Sequence, residues 1–360
     1  MREMYRIVGD DGTQEGQLPS GLDEHDFRRI YELLLVTRVF DEHADTLVRQ
    51  GRISFYAGSR GNEAAQVGSG YALQPQDWVF SSPHRELGVH LAKGATVFEL
   101  MAHNFGRDAD PTHGRQMPTH FGSRALNIVP PSTAVGTRIP HAAGVGWAAR
   151  CKKDPMVAVA YFGDGATSMS EFHVGLNFAS VFGSQAVFFC INNMWAISTP
   201  LKRQMAVETI AERAAAYGIP GVLVDGNDAL AVYDVTRQAL DRARNTYVPT
   251  LIEARVCRLC AHTSFDDQRR YRSAEEIEEG ERREPVGRFR RFLQKQGLWS
   301  EAWDQQLTQH TRELVEAAVL RAEQSPPPSP DTVLDHVYYA NKSEPEPQPA
   351  LPSSLVSKEP

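Results

Sequence analysis

Two polar clusters that end apolar runs are the residues best suited to chemistry in this 360-residue sequence: Gly163-Asp164-Gly165 after Met156–Phe162, and Asn192-Asn193 after Ala186–Ile191. Asp164 offers carboxylate oxygens and Asn193 an amide oxygen. Hard oxygens of this kind suit magnesium, which takes one or two protein ligands and leaves the rest to phosphate and water. A glycine turn beside them lets backbone amides approach a diphosphate. Alone, either cluster reads as an ordinary turn, because Gly, Asp and Asn all favour turns. At the ends of successive strands with one helix between, the pair reads as a magnesium–diphosphate anchor. His262 lies just past a further apolar run, and an imidazole suits proton transfer near neutral pH. Cys257-x-x-Cys260 has no second ligand pair at zinc spacing, so it reads as buried thiols. Gly and Pro between His103, His113 and His120 imply a long loop rather than a metal cluster.

The elements that must position these groups follow from periodicity. Met156–Phe162, Ala186–Ile191, Gly221–Asp225 and Thr250–Val256 are short apolar runs, the pattern of parallel strands buried on both faces. Helical patterns lie between them, over 169–181 and 229–245. This alternation implies an α/β fold with a doubly wound, mostly parallel sheet and helices on both faces. In such a sheet ligands bind outside the carboxyl ends of the strands, so Asp164 and Asn193 belong on one rim. Upstream, apolar residues at helical spacing predict a long helix from Asp23 to Gln50, stopped by Gly51, and a small-residue helix over 62–73. Downstream of Ser273 the chain is charged and helical to about Glu323, with an aromatic-rich helix over 289–303, and Ser325–Pro330 breaks it. The expected organisation is an N-terminal arm (1–22), one domain (23–335) and a disordered Pro/Glu-rich tail (336–360).

Hydrophobic residues at 41%, charged residues at 23% and a net charge of −7 with both signs interspersed fit a globular protein and give no nucleic-acid footprint. The apolar runs are too short for a membrane span. Four cysteines in so long a chain do not form a disulfide framework, and the N-terminus lacks an apolar targeting core, so a cytoplasmic location is expected.

The segments Tyr161–Glu171 and Phe188–Pro200 resemble the thiamin-diphosphate signature of 2-oxo acid dehydrogenase alpha subunits, the decarboxylating component of the branched-chain 2-oxo acid and pyruvate dehydrogenase complexes. Ile53–Tyr56, Gly114–Pro118, Ile139-Pro140, Val224–Tyr233 and Tyr271–Ser273 continue the resemblance in family order, over roughly residues 25–335. The resemblance implies the thiamin-diphosphate-binding fold, with thiamin diphosphate and magnesium as cofactors. It implies magnesium ligands at Asp164, Asn193 and the carbonyl of Trp195, and diphosphate contacts at Gly163, Gly165 and Ala166. Arg85 falls where the family places an arginine on the terminal phosphate. Ser132, Thr133 and Val135 fall in the loop against the aminopyrimidine. His262 takes the place of the catalytic histidine beside the thiazolium, on a loop ordered by Arg258, Asp266 and Tyr271.

The implied activity is oxidative decarboxylation of a 2-oxo acid, with acyl transfer to the lipoyl group of an acyltransferase component. Only the diphosphate half of the signature is present. The implied partner is therefore a beta subunit, which supplies the carboxylate for the aminopyrimidine in an α2β2 heterotetramer. The Ala/Gly-rich segment His141–Ala149 is either its contact surface or an internal helix. Gly114–Pro118 and Val224–Asp228 are similar to branched-chain members, such as those acting on 2-oxoisovalerate, whereas Asn127–Pro131 is similar to bacterial pyruvate members. Departures are Ala261 before the histidine, His84 before Arg85 in a longer loop, and Arg138 where branched-chain relatives have a glutamine next to a potassium site, so a fixed cation stands in and no potassium is expected. Thr263 and Ser273 align with phosphorylated positions of mitochondrial members. Other readings are an acetoin dehydrogenase alpha subunit and a non-catalytic scaffold. A nicotinamide enzyme is excluded because no Gly-x-Gly-x-x-Gly follows an early strand.

Overall fold

The computed structural model describes residues 4–82, 85–335 and 337. The expectations for His84 and for the 336–360 tail, Val337 apart, lie outside these residues, as do those for residues 1–3. The chain runs α1 (Glu24–Arg49), α2 (Glu63–Tyr71), β1 (Trp78–Phe80), α3 (Leu87–Ala92), α4 (Val97–Asn104), β2 (Ile128–Val129), α5 (Arg138–Lys152), β3 (Ala158–Gly163), α6 (Ser170–Phe182), β4 (Ala186–Asn192), β5 (Trp195–Ala196), β6 (Thr199–Pro200), β7 (Gly221–Asp225), α7 (Ala229–Thr246), β8 (Thr250–Arg255), α8 (Ala274–Arg282), α9 (Pro285–Lys295) and α10 (Glu301–Gln324). Its contacts divide it into Met1–Pro327, which holds these elements, and Pro328–Pro360, which contains a short 3-10 turn at Pro330–Thr332 capped by Ser329.

Six strands form one sheet in the order β2-β1-β3-β4-β8-β7, and every neighbouring pair is parallel. The continuous apolar runs are explained by burial on both faces. Along β3 and β4, Val159, Tyr161, Val187 and Phe189 face one core, shared with α1, α2 and α7. Ala160, Phe162, Phe188 and Cys190 alternate with them into a second core beneath α5 and α6. This is the doubly wound α/β sheet expected from the alternation of strands and helices.

Local signals set the helix ends. Asp23 and Asp26 form a reciprocal capping box at the start of α1, satisfying amides that have no helical partner. Gly51, at φ 70°, turns the chain out of it.

The structure refines the expectations at several points. The 289–303 helix is two: α9 ends at Lys295 and α10 starts at Glu301, with Gly297 at φ 72° between them. His103 sits in the last turn of α4, and the Gly- and Pro-containing stretch from there to His120 has no helix or strand, as expected. Strands β1 and β2 were not anticipated, because three and two residues are too few to show a period. The N-terminal arm is irregular but packed: Tyr5 pairs in parallel with Val224 at the sheet edge, and Ile7 and Val8 are buried. Asp228 accepts from the Ile7 and Val8 amides, both at 2.7 Å.

Candidate active site

All six strands point the same way, so the segments that leave their carboxyl ends share one rim. Arg85 follows β1, Ser132–Val135 follow β2, Asp164 follows β3, Asn193 follows β4 and His262 follows β8. Gly163 is paired directly with Ile191. Asp164 and Asn193 therefore leave adjacent strands one and two residues beyond the same rung.

Asp164 opens a 3-10 turn (Asp164–Ser168). Its side chain is 1% exposed, and burial pushes its carboxyl up to about 6 against the opposing pull of a Gln204 hydrogen bond and of Arg258 and Arg85. Gln204 Nε2 donates to its Oδ2 at 2.7 Å. The Thr167 hydroxyl donates to the Asp164 carbonyl at 2.8 Å and closes the turn. Gly165 presses against β5: a Cβ there would meet the Ala196 Cβ at 2.9 Å, so no larger residue fits without moving backbone.

Asn193 is buried, and its Oδ1 accepts from the Trp195 amide at 3.1 Å. Its neighbour Asn192 donates to Glu253 at 2.7 Å and accepts from the Met194 amide at 2.8 Å. Met194 and Ile197 hold left-handed φ values of 68° and 56°, which costs side-chain-bearing residues about 1 kcal/mol each. The Trp195 indole donates to Glu276 at 2.8 Å and packs on the Tyr271 ring at 5.4 Å.

His262 is gripped by two guanidinium groups. Arg85 Nη2 lies 3.1 Å and Arg258 Nη1 3.3 Å from its Nδ1. Two donors converging on Nδ1 make it the acceptor and leave the proton of the neutral ring on Nε2. Arg85 also donates to the carbonyls of Gly58, at 2.7 Å, and of His262. It is thus turned onto the histidine loop. Arg258 reaches the Ile197 carbonyl at 3.1 Å and the Tyr271 hydroxyl at 2.7 Å. Asp266 accepts from the His262 amide at 2.7 Å and from Tyr271 at 2.5 Å. Burial raises the Asp266 carboxyl, but these bonds and nearby Arg258 outweigh it and lower it. Burial first, then Arg85, lowers the Arg258 guanidinium. Among the described residues no carboxylate contacts the guanidinium of Arg85 or Arg258 directly, although Asp164 feels the charge of both and Asp266 that of Arg258.

The Ser132–Val135 loop is more open, with Thr133 and Val135 exposed. It lies beside the exit of the Asp164 turn: a Cβ on Gly136 would meet the Met169 Cβ at 3.3 Å. Thr133 contacts His120 Nε2 at 3.3 Å, which brings His120 to the rim. Arg138 donates to the Pro130 carbonyl and closes the base of the loop. Sequence reasoning missed Gln204, which carries no motif, and the grip of Arg85 on His262, which joins residues far apart in sequence.

The remaining candidates separate. His103 pairs with Asp110 and His113 with Asp108, each at 3.1 Å, and His120 with Thr133, so they share no ligand. Cys257 and Cys260 are free thiols, and burial raises Cys260 to about 11. Ser273 caps α8 and Thr263 lies on the histidine loop. Among the described residues no helix is long and apolar enough to cross a membrane.

The residues present fit a magnesium diphosphate. Hard oxygens stand at adjacent strand ends, the glycine turn is too tight for a Cβ, and Arg85 and Arg258 face the same rim. The chain is 41% identical over 320 residues to the 2-oxoisovalerate dehydrogenase subunit alpha of Bacillus subtilis (strain 168), covering 88% of this chain and 97% of that one. It is 41% identical over 341 residues to the 3-methyl-2-oxobutanoate dehydrogenase subunit alpha of Mycobacterium tuberculosis (strain ATCC 25618 / H37Rv), covering 93% and 88%. The pyruvate dehydrogenase E1 component subunit alpha of Staphylococcus aureus (strain MW2) is 35% identical over 339 residues, covering 93% and 89%. The family model described as dehydrogenase E1 component matches residues 31–331, a span that begins inside α1 and takes in every strand of the rim, and the chain belongs to that family.

Proposed function

We propose that this chain is the alpha subunit of a branched-chain 2-oxo acid dehydrogenase, acting on 2-oxoisovalerate or a close homologue and passing the acyl group to a lipoyl arm. The observation that carries the reading is the convergence of Asp164, Asn193 and His262 on one rim of a fully parallel sheet. Asp164, Asn193 and the Trp195 carbonyl would hold magnesium. Gly163, Gly165 and Ala166 would lie against the diphosphate, with Arg85 supplying charge, while Ser132, Thr133 and Val135 would line the aminopyrimidine. When bound, thiamin diphosphate supplies the electron sink for decarboxylation. His262, with its proton on Nε2, donates and recovers a proton at the reacting centre. Arg85 and Arg258 fix the ring's tautomer and orientation. Burial of Asp164, Asn193, Arg85 and Arg258 keeps water from the inner part of that centre.

A carboxylate for the aminopyrimidine is not among the rim residues described above. A beta subunit supplies it, in an α2β2 assembly with each site between an alpha and a beta chain. The similarity to branched-chain alpha subunits, higher than to the pyruvate one, favours a branched substrate. The test is carbon dioxide release by the alpha–beta complex on 2-oxoisovalerate and on pyruvate. The expected kcat/KM ratio favours 2-oxoisovalerate by about 10-fold or more, since one or two methylenes are worth roughly 1–3 kcal/mol. A preference for pyruvate overturns the substrate, and no release from either overturns the activity.

A further inference from the structure

Arg213 lies on a 3-10 segment (Ala211–Tyr217) behind the rim and belongs to no motif. Its Nη2 donates to the Thr167 carbonyl at 2.8 Å, the end of the turn that Asp164 begins. Thr167 in turn holds the Asp164 carbonyl through its hydroxyl at 2.8 Å. The same Nη2 lies 3.2 Å from His173 Nε2, and the guanidinium sits 4.5 Å over the Phe172 ring. Among the described residues no carboxylate pairs with it, and burial lowers its pKa. A half-buried cation without an anion costs free energy unless its donors are used elsewhere. Here they meet a carbonyl at the negative end of the turn. The segment is itself anchored: Glu253, fully buried on β8, accepts from the Ala211 amide at 2.9 Å and from Asn192 at 2.7 Å. One carboxylate therefore ties together the strand end that presents Asn193 and the segment whose arginine fastens the Asp164 turn.

We propose that Arg213 is a positioning residue for the metal-diphosphate turn, setting where Asp164 stands relative to Asn193; this rests on the function proposed above. The test uses the alpha–beta complex with Arg213→Met, which keeps the packing stem and removes the donors, and Arg213→Lys, which keeps charge and a donor. Magnesium–thiamin diphosphate affinity is read by calorimetry, and amide exchange over residues 164–169 is read on the cofactor-free complex. Arg213→Met is expected to weaken binding about tenfold, the worth of one hydrogen bond to a charged group, and to speed exchange in that turn. Arg213→Lys is expected to recover most of both. Wild-type affinity in Arg213→Met, or unchanged exchange in the turn, overturns the proposal. So does a lowered unfolding midpoint with no local change in exchange, the mark of a merely structural residue. If Arg213→Met does not assemble, Thr167→Val, which removes only the hydroxyl on the Asp164 carbonyl, must show the same pattern, and wild-type affinity there overturns the proposal. Should the wild-type complex bind no thiamin diphosphate, the function fails, and the exchange measurement still decides whether Arg213 orders the turn.

Discussion

Asp164 is held in a state that water would not choose. Burial raises its carboxyl from 3.8 to about 6, so the folded chain binds that proton more tightly than the unfolded one. The resulting stabilisation is fully present below about pH 4 and lost as pH rises through about 6. A magnesium ion compensates the buried charge; without it, the charge costs stability. Asp164→Asn is therefore expected to make the cofactor-free complex more stable than wild type at pH 8, by on the order of 2–3 kcal/mol, for a shift of about two units. The gap should close as pH falls towards 4. Thermal unfolding across that range checks this, and a wild type more stable than the variant at pH 8 contradicts it. Site residues stabilise function at the expense of the fold, and this one should do so measurably.

At the scale of elements, the β7 edge of the sheet is where the N-terminal arm is tied down. Arg288 of α9 is 1% exposed and donates to Asp225 at 2.9 Å and to the Val8 carbonyl. Asp225 also pairs with Arg6 at 2.9 Å, and Asp228 lies 3.9 Å from Arg288. Arg288→Met removes the cation that Asp225 and Asp228 share but leaves Asp225 its Arg6 contact, so a loss of about 3 kcal/mol is expected from chemical denaturation. A loss below about 1 kcal/mol contradicts that role.

These same elements show what the sequence could reveal. The runs that became β3, β4, β7 and β8 were readable because burial on both faces leaves an unbroken apolar stretch. Asp164 and Asn193 were readable because strand direction alone puts them on one rim. The packed arm was not, since Tyr5–Val8 is too short to show a period and its partners lie more than two hundred residues away. Nor was the clasp of Arg85, Arg258 and His262: arginine has no periodic signature, and its partners are set by tertiary contact. The break at Gly297 was hidden by aromatic residues on both sides that fit one continuous helix equally well.

For the whole molecule, on the proposed function this chain carries the diphosphate side of a cofactor site and leaves the carboxylate for the aminopyrimidine to a partner. The relatives are each named as an alpha subunit, as expected for half a site. The central claim is that Asp164 and Asn193 share one divalent ion gripping a diphosphate, and calorimetry of thiamin diphosphate binding to the alpha–beta complex tests it most directly. The account predicts saturable binding that requires magnesium, with one cofactor for each alpha chain, and its loss in Asp164→Ala. Equal binding without magnesium, or by Asp164→Ala, would contradict it.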